Sequence, residues 1–394
     1  MLIGLVGKPS SGKSTFFKAA TMAEAEIASY PFTTIKPNRG VGYVKVNCIE
    51  KDFNVKCNPA HGFCIRGNRF VPVEIMDVAG LVPGASEGKG LGNQFLDDLR
   101  QADVFIHILD ASGTTDEEGK PVHDHNPEKD IMFLENELNR WFFNIMVKVW
   151  KTFVRKTEQE DGNFAESVAK QFSGLKVTEN QVKDVLLKLK LPAKPGDWGN
   201  DDVFNFASSL RSESKPTIIA ANKIDMEKAA ANYRKLKERF PNLIIIPCSA
   251  DSELALREAA KSGVIDYIPG ERDFEIKKPL SKAQEEALSK IKNNVLEKFD
   301  HGTGVQYILN HAVFNLLKYI FVFPAGANKL ADSKGRILPD CFLLPQGSTA
   351  LDFAYQIHTD FGKNFVKAID ARTKKIIGKN HELKSGDALE IVTR

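Results

Sequence analysis

With 394 residues, 42% of them hydrophobic, the chain can bury a sizeable core and divide into two or three domains. Its formal net charge of +3 excludes a global field that would compel nucleic-acid binding, so any basic surface must be local. No apolar stretch approaches the roughly 18 residues of a membrane span, and the short N-terminal apolar run leads straight into a glycine-rich loop, so a cytoplasmic protein without a signal peptide is expected.

Leu2, Ile3, Leu5 and Val6 predict a buried strand, and Gly7-Lys8-Pro9-Ser10-Ser11-Gly12-Lys13-Ser14 follows it as a complete G-x-x-x-x-G-K-S loop. The glycines let backbone N–H groups turn inward around phosphate oxygens, and the helix opening at Ser14 and Thr15 adds the positive end of its dipole. Lys13 is expected to reach the β- and γ-phosphates, and Ser14 to give its hydroxyl to magnesium. Two strand-like runs, 42–46 and 71–76, then flank an excursion containing Cys48, Cys57, His61 and Cys64, placed at the tip of a hairpin. Three readings stand for it: a Cys₃His zinc site, a Cys57–Cys64 disulfide in a hyperthermophile, or free thiols. The ligand spacing matches no standard zinc pair and favours free thiols.

Asp77-Val78-Ala79-Gly80 ends the second run, where a strand-end aspartate senses magnesium and the backbone near Gly80 faces the γ-phosphate. Between Asp110 and Asn222 lies about a hundred residues more than a minimal nucleotide-binding domain needs. Leu134, Leu138, Trp141, Phe142, Ile145, Val149 and Phe153 predict a helix over 128–155, and Thr178 with Gln181 forms a capping-box pair opening another at Glu179. Trp141 and Trp150 are read as the core of this inserted helical subdomain. The apolar strand 217–221 precedes Asn222-Lys223-Ile224-Asp225, in which the Asp225 carboxylate can accept from both N1–H and the exocyclic amine of guanine. Such a site rejects adenine by factors of about 10⁴ or more in good cases. A further buried run, 243–246, leads to Cys248-Ser249-Ala250, where the Ala250 N–H is placed to bind guanine O6. Helices are expected over 254–261, through Leu288, Ile291 and Val295, and over 305–318. From Tyr319 the chain becomes strand-like and turn-rich.

In this order the motifs resemble those of the translation-factor-related GTPases. Tyr30-Pro31-Phe32-Thr33-Thr34 is similar to the first switch of the Obg/YchF group, and Asp77 to Gly84 with Gly88 to Leu96 to its glycine-rich second switch. Residues 344–358, Leu-Pro-Gln-Gly-Ser-Thr-Ala-Leu-Asp-Phe-Ala-Tyr-Gln-Ile-His, resemble the signature of a TGS domain. The branch most resembled is the archaeal and eukaryotic one that retains N-K-x-D; relatives lacking that motif prefer ATP. The resemblance implies an α/β fold: a P-loop GTPase domain with a mainly parallel sheet (1–120 and 213–272), a helical insertion (121–212), connecting helices (273–318) and a ubiquitin-like β-grasp TGS domain (319–394).

It further implies a GTP/GDP switch with Mg²⁺ on Ser14, Thr34 and Asp77, and catalysis resting on Lys13, Thr34 and Gly80. Ribosome or RNA contact through the TGS domain and the helical insertion is also implied. Leu81 replaces the water-orienting glutamine of Ras-like enzymes, Ser86 replaces a histidine common among relatives, and Ser10 replaces a potassium-binding asparagine. The expected turnover is slow, at or below roughly 10⁻⁴ to 10⁻³ s⁻¹. An ATPase of the same fold and a nucleotide-stabilised RNA- or ribosome-binding module are the rivals.

Overall fold

Strand β1 (Leu2–Val6) is buried along its whole length, which is why it reads as an unbroken apolar run rather than an alternating one. It lies parallel between the end of β4 (Asn68–Asp77), in register from Leu2↔Glu74 to Leu5↔Asp77, and β5 (Val104–Asp110). Parallel β6 (Thr217–Asn222) and β7 (Ile245–Pro247) continue the sheet beyond β5. Because these strands all run the same way, Gly7, Asp77, Asp110 and Asn222 emerge at one edge, the carboxyl edge where open α/β sheets bind ligands. The computed structural model describes residues 1–21, 39–78, 99–160, 162–326, 329–332 and 334–394. They form two compact units, Met1–Ala19 with Glu74–Ile308 and Ala20–Val73 with Leu309–Arg394.

In the first unit, α1 (Lys13–Thr21) follows the glycine-rich loop, and α2 (Pro127–Gln159) starts with Asn126 capping Glu128 N and Pro127 at its first position. Its 33 residues span about 50 Å. Helices α3 (Phe164–Gln171), α4 (Glu179–Lys188) and α5 (Asn200–Ser214) pack beside it, and Thr178 and Gln181 make the reciprocal capping box at the start of α4. The apolar face joins Trp150 to Trp198, stacked at 5.4 Å, and Trp198 to Phe206, edge-on at 5.1 Å. Trp141 and Trp150 are 1% and 5% exposed, so they are core residues. The unit continues through α6 (Ala229–Arg239), α7 (Ala250–Lys261), the short pair β8 (Ile265–Asp266) and β9 (Glu275–Ile276), and α8 (Lys282–Ile291). The stretch 305–318 is not one α-helix: α9 (Val305–Asn310) passes into a wider π-type turn, His311–Leu316.

The second unit contains β2 (Arg39–Asn47), β3 (Phe63–Ile65) paired antiparallel with the first half of β4, and a five-stranded β-grasp sheet. Its strands are β10 (Tyr319–Pro324), β11 (Phe342–Pro345), β12 (Phe365–Asp370), β13 (Ile376–Ile377) and β14 (Ala388–Thr393), in the order β11-β10-β14-β12-β13. Thr349 caps α10 (Ala350–Ile357) with Asp352 in a capping box, while Phe353 and Ala354 are buried beneath it. Short α11 (Thr359–Lys363) is capped by the exposed His358, whose Nδ1 accepts from Asp360 N. Cys48, Ile49 and Cys57 share one core with Phe323, Ala325, Leu338, Ala371 and Ala388. Fully buried Arg69 donates to Leu338 O and Pro339 O at 3.0 and 2.9 Å.

The cysteine excursion departs from expectation in one ligand. Cys48, Cys57 and Cys64 gather with Glu50 in place of His61, because the turn Ile49–Lys51 carries Glu50 back beside Cys48 and Cys57 N donates to Glu50 Oε2 at 2.9 Å. Among the described residues no helix is long and apolar enough to cross a membrane.

Truncating Trp150 to alanine should cost about 3–5 kcal/mol of stability, since it empties the centre of an aromatic cluster that cannot collapse. Leu187, 85% exposed, should tolerate the same truncation within about 0.5 kcal/mol. Urea unfolding of both variants checks the contrast, and equal destabilisation would contradict this view of the insertion's core.

Candidate nucleotide site

The loop after β1 is held open by two glycines that no other residue could replace. Gly7 (φ +151°) and Gly12 (φ +96°) occupy backbone conformations L side chains rarely adopt, and a Cβ would meet Ile108 O at 2.5 Å or Asn222 Nδ2 at 2.2 Å. Ser10, exposed, also has a positive φ of 59°, while Pro9 and Thr15 are half-buried and Ser11 is buried. Lys13 folds back into the loop, donating to Lys8 O at 2.8 Å and Gly7 O at 3.1 Å. Burial lowers its ammonium from 10.5 to about 8, partly opposed by the charge of Asp77.

Ser14 Oγ donates to Asp77 Oδ2 at 3.1 Å. Asp77 Oδ1 is buried and has no hydrogen-bond partner among the described residues. Burial raises the Asp77 carboxyl above its ordinary range, against the hydrogen bond from Ser14 and the charge of Lys13. A hydroxyl and an unsatisfied carboxylate side by side are the hard oxygen donors that magnesium takes, so the pair fits that ion. Thr34 and Gly80, with Leu81 and Ser86, lie outside the described residues.

The base-side motifs meet through Asn222. Its Nδ2 donates to Ser11 O at 3.0 Å and its Oδ1 accepts from Ala250 N at 3.0 Å, so one amide joins the phosphate loop to the start of α7. Lys223, at φ +60°, sends its ammonium to Asp110 Oδ2 at 2.8 Å. Asp225 is exposed, and Ser249 Oγ donates to its Oδ1 at 2.7 Å. The structure thus brings Gly7 to Thr15, Asp77, Asn222, Lys223, Asp225, Ser249 and Ala250 to one edge of the sheet.

Two supports are invisible in the motifs. Asp110, fully buried at the end of β5, accepts from Lys223, Ser112 and Thr115. Burial alone would raise its carboxyl, but these hydrogen bonds overcome it and hold Asp110 below the ordinary range. Lys8, 3% exposed, reaches across to Asp130 Oδ2 at 2.7 Å in the first turn of α2, and His125 Nε2 lies 2.8 Å from Asp130 Oδ1. The only trace of Asp110 in the sequence is an aspartate closing an otherwise apolar strand; nothing marks Asp130.

Residues 2–137 match the family described as 50S ribosome-binding GTPase, 220–326 the Obg-like GTPase YGR210-like, G4 motif-containing domain, and 319–393 the TGS domain. An uncharacterized GTP-binding protein of Methanocaldococcus jannaschii is 47% identical over 395 residues, covering 100% of this chain and 99% of its own. The ribosome-binding ATPase YchF of Buchnera aphidicola is 29% identical over 93% of this chain and 86% of its own. The crystal structure of a GTP binding protein from Pyrococcus horikoshii superposes with a TM-score of 0.79 at 39% identity, covering all of both chains. By these matches the chain belongs to the YchF/Obg-related family of GTP-binding proteins, in the form that carries a C-terminal TGS domain.

Proposed function

We propose that this GTP-binding protein is a slow GTPase switch, selective for guanine, that acts on the translation machinery. The observation that carries the reading is the base edge. Asp225 is exposed and fixed by Ser249, so a carboxylate is presented at the strand ends, whereas the Ala250 N–H expected to meet guanine O6 is engaged by Asn222 Oδ1. Guanine offers the complementary donor pair, N1–H and the exocyclic amine, and adenine does not. Lys13 is assigned to the β- and γ-phosphates, releasing its two carbonyl contacts as it swings out, while the backbone N–H groups from Ser10 to Ser14 line the phosphates. Ser14 and Asp77 would hold magnesium, which supplies charge neutralisation when bound; Thr34 and Gly80 complete the assignment as the switch residues.

In this division of labour residues 1–120 and 213–272 bind nucleotide, 121–212 form an arm, 273–318 connect, and 319–394 make contact with RNA or the ribosome. Relatives named as ribosome-binding support the partner, and exposed Lys363, Lys375 and Lys379 supply local positive charge. Arg372 contributes less to such a patch, because it is paired with Asp52 at 2.7 Å. The ATPase reading rests on the name those same relatives carry and is the second hypothesis.

Competition of GTP against ATP for a fluorescent GDP analogue tests the choice between them. Asp225→Asn should weaken GTP by about 1.5–3 kcal/mol, the size of a hydrogen bond to a charged group, and improve xanthosine triphosphate relative to GTP. Equal affinity of the native protein for GTP and ATP would defeat the guanine assignment.

Lys13 gives a second test. With its folded value near 8 against 10.5, the nucleotide-free protein carries a neutral Lys13 between those limits. Its own contribution to stability therefore rises with pH across that window, since the unfolded chain binds the extra proton. A triphosphate favours the charged form, so binding at about pH 9 should take up a proton and weaken as pH rises. Calorimetry in buffers of different ionisation enthalpy reads the uptake, and Lys13→Ala should abolish it along with most affinity.

For the partner, reversing Lys363, Lys375 and Lys379 to glutamate should lower ribosome co-sedimentation and flatten its salt dependence, by a slope of about 0.7–0.9 for each phosphate that is no longer neutralised. Unchanged sedimentation would move recognition to the helical insertion. Point reversal is preferred to removal of 319–394, because that removal strips the cover from Cys48, Ile49 and Cys57 and leaves Arg69 without its carbonyls.

A further inference from the structure

In the second unit one ligand atom each from Cys48, Glu50, Cys57 and Cys64 lies within 4.8 Å of all the others. Cys48 Sγ is 3.7 Å from Cys57 Sγ, and Cys64 Sγ is 3.7 Å from Glu50 Oε1. Zinc–sulfur bonds of about 2.3 Å in a tetrahedron place neighbouring sulfurs about 3.8 Å apart. A disulfide needs about 2.05 Å. Both separations match edges of such a ligand tetrahedron.

We propose that Cys48, Cys57, Cys64 and Glu50 bind one thiophilic divalent cation, zinc by preference, as a closed structural site. Three soft sulfur donors select zinc over magnesium or calcium, and four protein ligands leave no open coordination position. The frame that sets the ligands is backbone. Cys48 N donates to Gly67 O at 2.8 Å, Val55 N donates to Glu50 O at 3.0 Å, and Cys57 N donates to Glu50 Oε2 at 2.9 Å, which turns Oε1 toward Cys64. Outer hydrogen bonds of this kind orient a ligating carboxylate.

The charge of the site has a counterpart next to it. Three thiolates and a carboxylate around a divalent cation sum to −2, and Arg69 beside them is fully buried, with Nε and Nη1 lacking hydrogen-bond partners among the described residues. A buried guanidinium satisfied on one nitrogen alone is costly unless an anionic group faces it. Arg69 stands opposite Cys64 in the β3–β4 register. Metal entry releases the thiol protons. Phe323, Ala325, Leu338 and Ala371 share the core that buries Cys48 and Cys57, while Glu50 and Cys64 are half-buried.

The full chain, purified without chelator or histidine tag from zinc-supplemented cells, should contain one zinc per chain by inductively coupled plasma mass spectrometry. Cobalt refilling under reducing conditions should give a thiolate-to-cobalt charge-transfer band and strong visible bands of a tetrahedral ion. Cys57→Ser should lose the metal, Glu50→Ala should alter the visible bands, and His61→Ala should leave both unchanged. Were Cys57→Ser to misfold, thiol labelling of the native chain decides: zinc should protect three of the five cysteines. A metal-free chain with no cobalt charge-transfer band, equal labelling with and without zinc, or a Cys48–Cys57 disulfide in the mass spectrum would overturn the proposal. Loss of the metal in His61→Ala with retention in Glu50→Ala would overturn the assigned fourth ligand.

Discussion

At the carboxyl edge of the sheet, the tie between the glycine-rich loop and the start of α7 depends on the two hydrogen bonds of one side-chain amide. Asn222 gives Nδ2 to Ser11 O and takes Ala250 N on Oδ1, so the glycine-rich loop and the start of α7 are fixed through a single buried group. An aspartate of the same size could accept but not donate, and would face the Ser11 carbonyl with charge. The close approach also explains Gly12, whose missing side chain is the space that Nδ2 occupies.

The same edge concentrates buried charge and manages it by pairing. Lys8 meets Asp130, Lys223 meets Asp110, and Lys13 is surrounded by carbonyls with its charge partly suppressed. A lone buried ion would cost several kcal/mol, whereas these groups are each hydrogen-bonded and geometrically fixed. Lys13 differs from the others in donating to neutral carbonyls rather than to a carboxylate, so it is the cation most easily redirected to an arriving anion.

Local chemistry was legible in the sequence and tertiary pairing was not. The glycine-rich loop, the Thr178–Gln181 cap and the buried tryptophans follow from spacing within a few residues. Asp130 escaped because its partner lies at position 8, and Asp110 because a strand-end aspartate has no distinctive neighbours. Glu50 escaped for a related reason: carboxylates are common in loops, and only the turn at 49–51 gives this one a place among thiols. The break in the helix at 311 is a change of hydrogen-bond pitch that apolar spacing does not encode.

The second unit is assembled from the two ends of its range, residues 20–73 and 309–394, with the whole central stretch of the first unit made in between. Arg69 and its acceptor Leu338 O are separated by 269 residues. At about 5–20 residues per second, an N-terminal hairpin emerging from the ribosome waits roughly 15–50 seconds for the strands that cover it. During that interval its apolar face and buried arginine lack the cover of residues 309–394, which complete a core begun by residues 20–73. Folding of this unit is therefore a late, long-range event, slow by topology and exposed to misassembly before it closes.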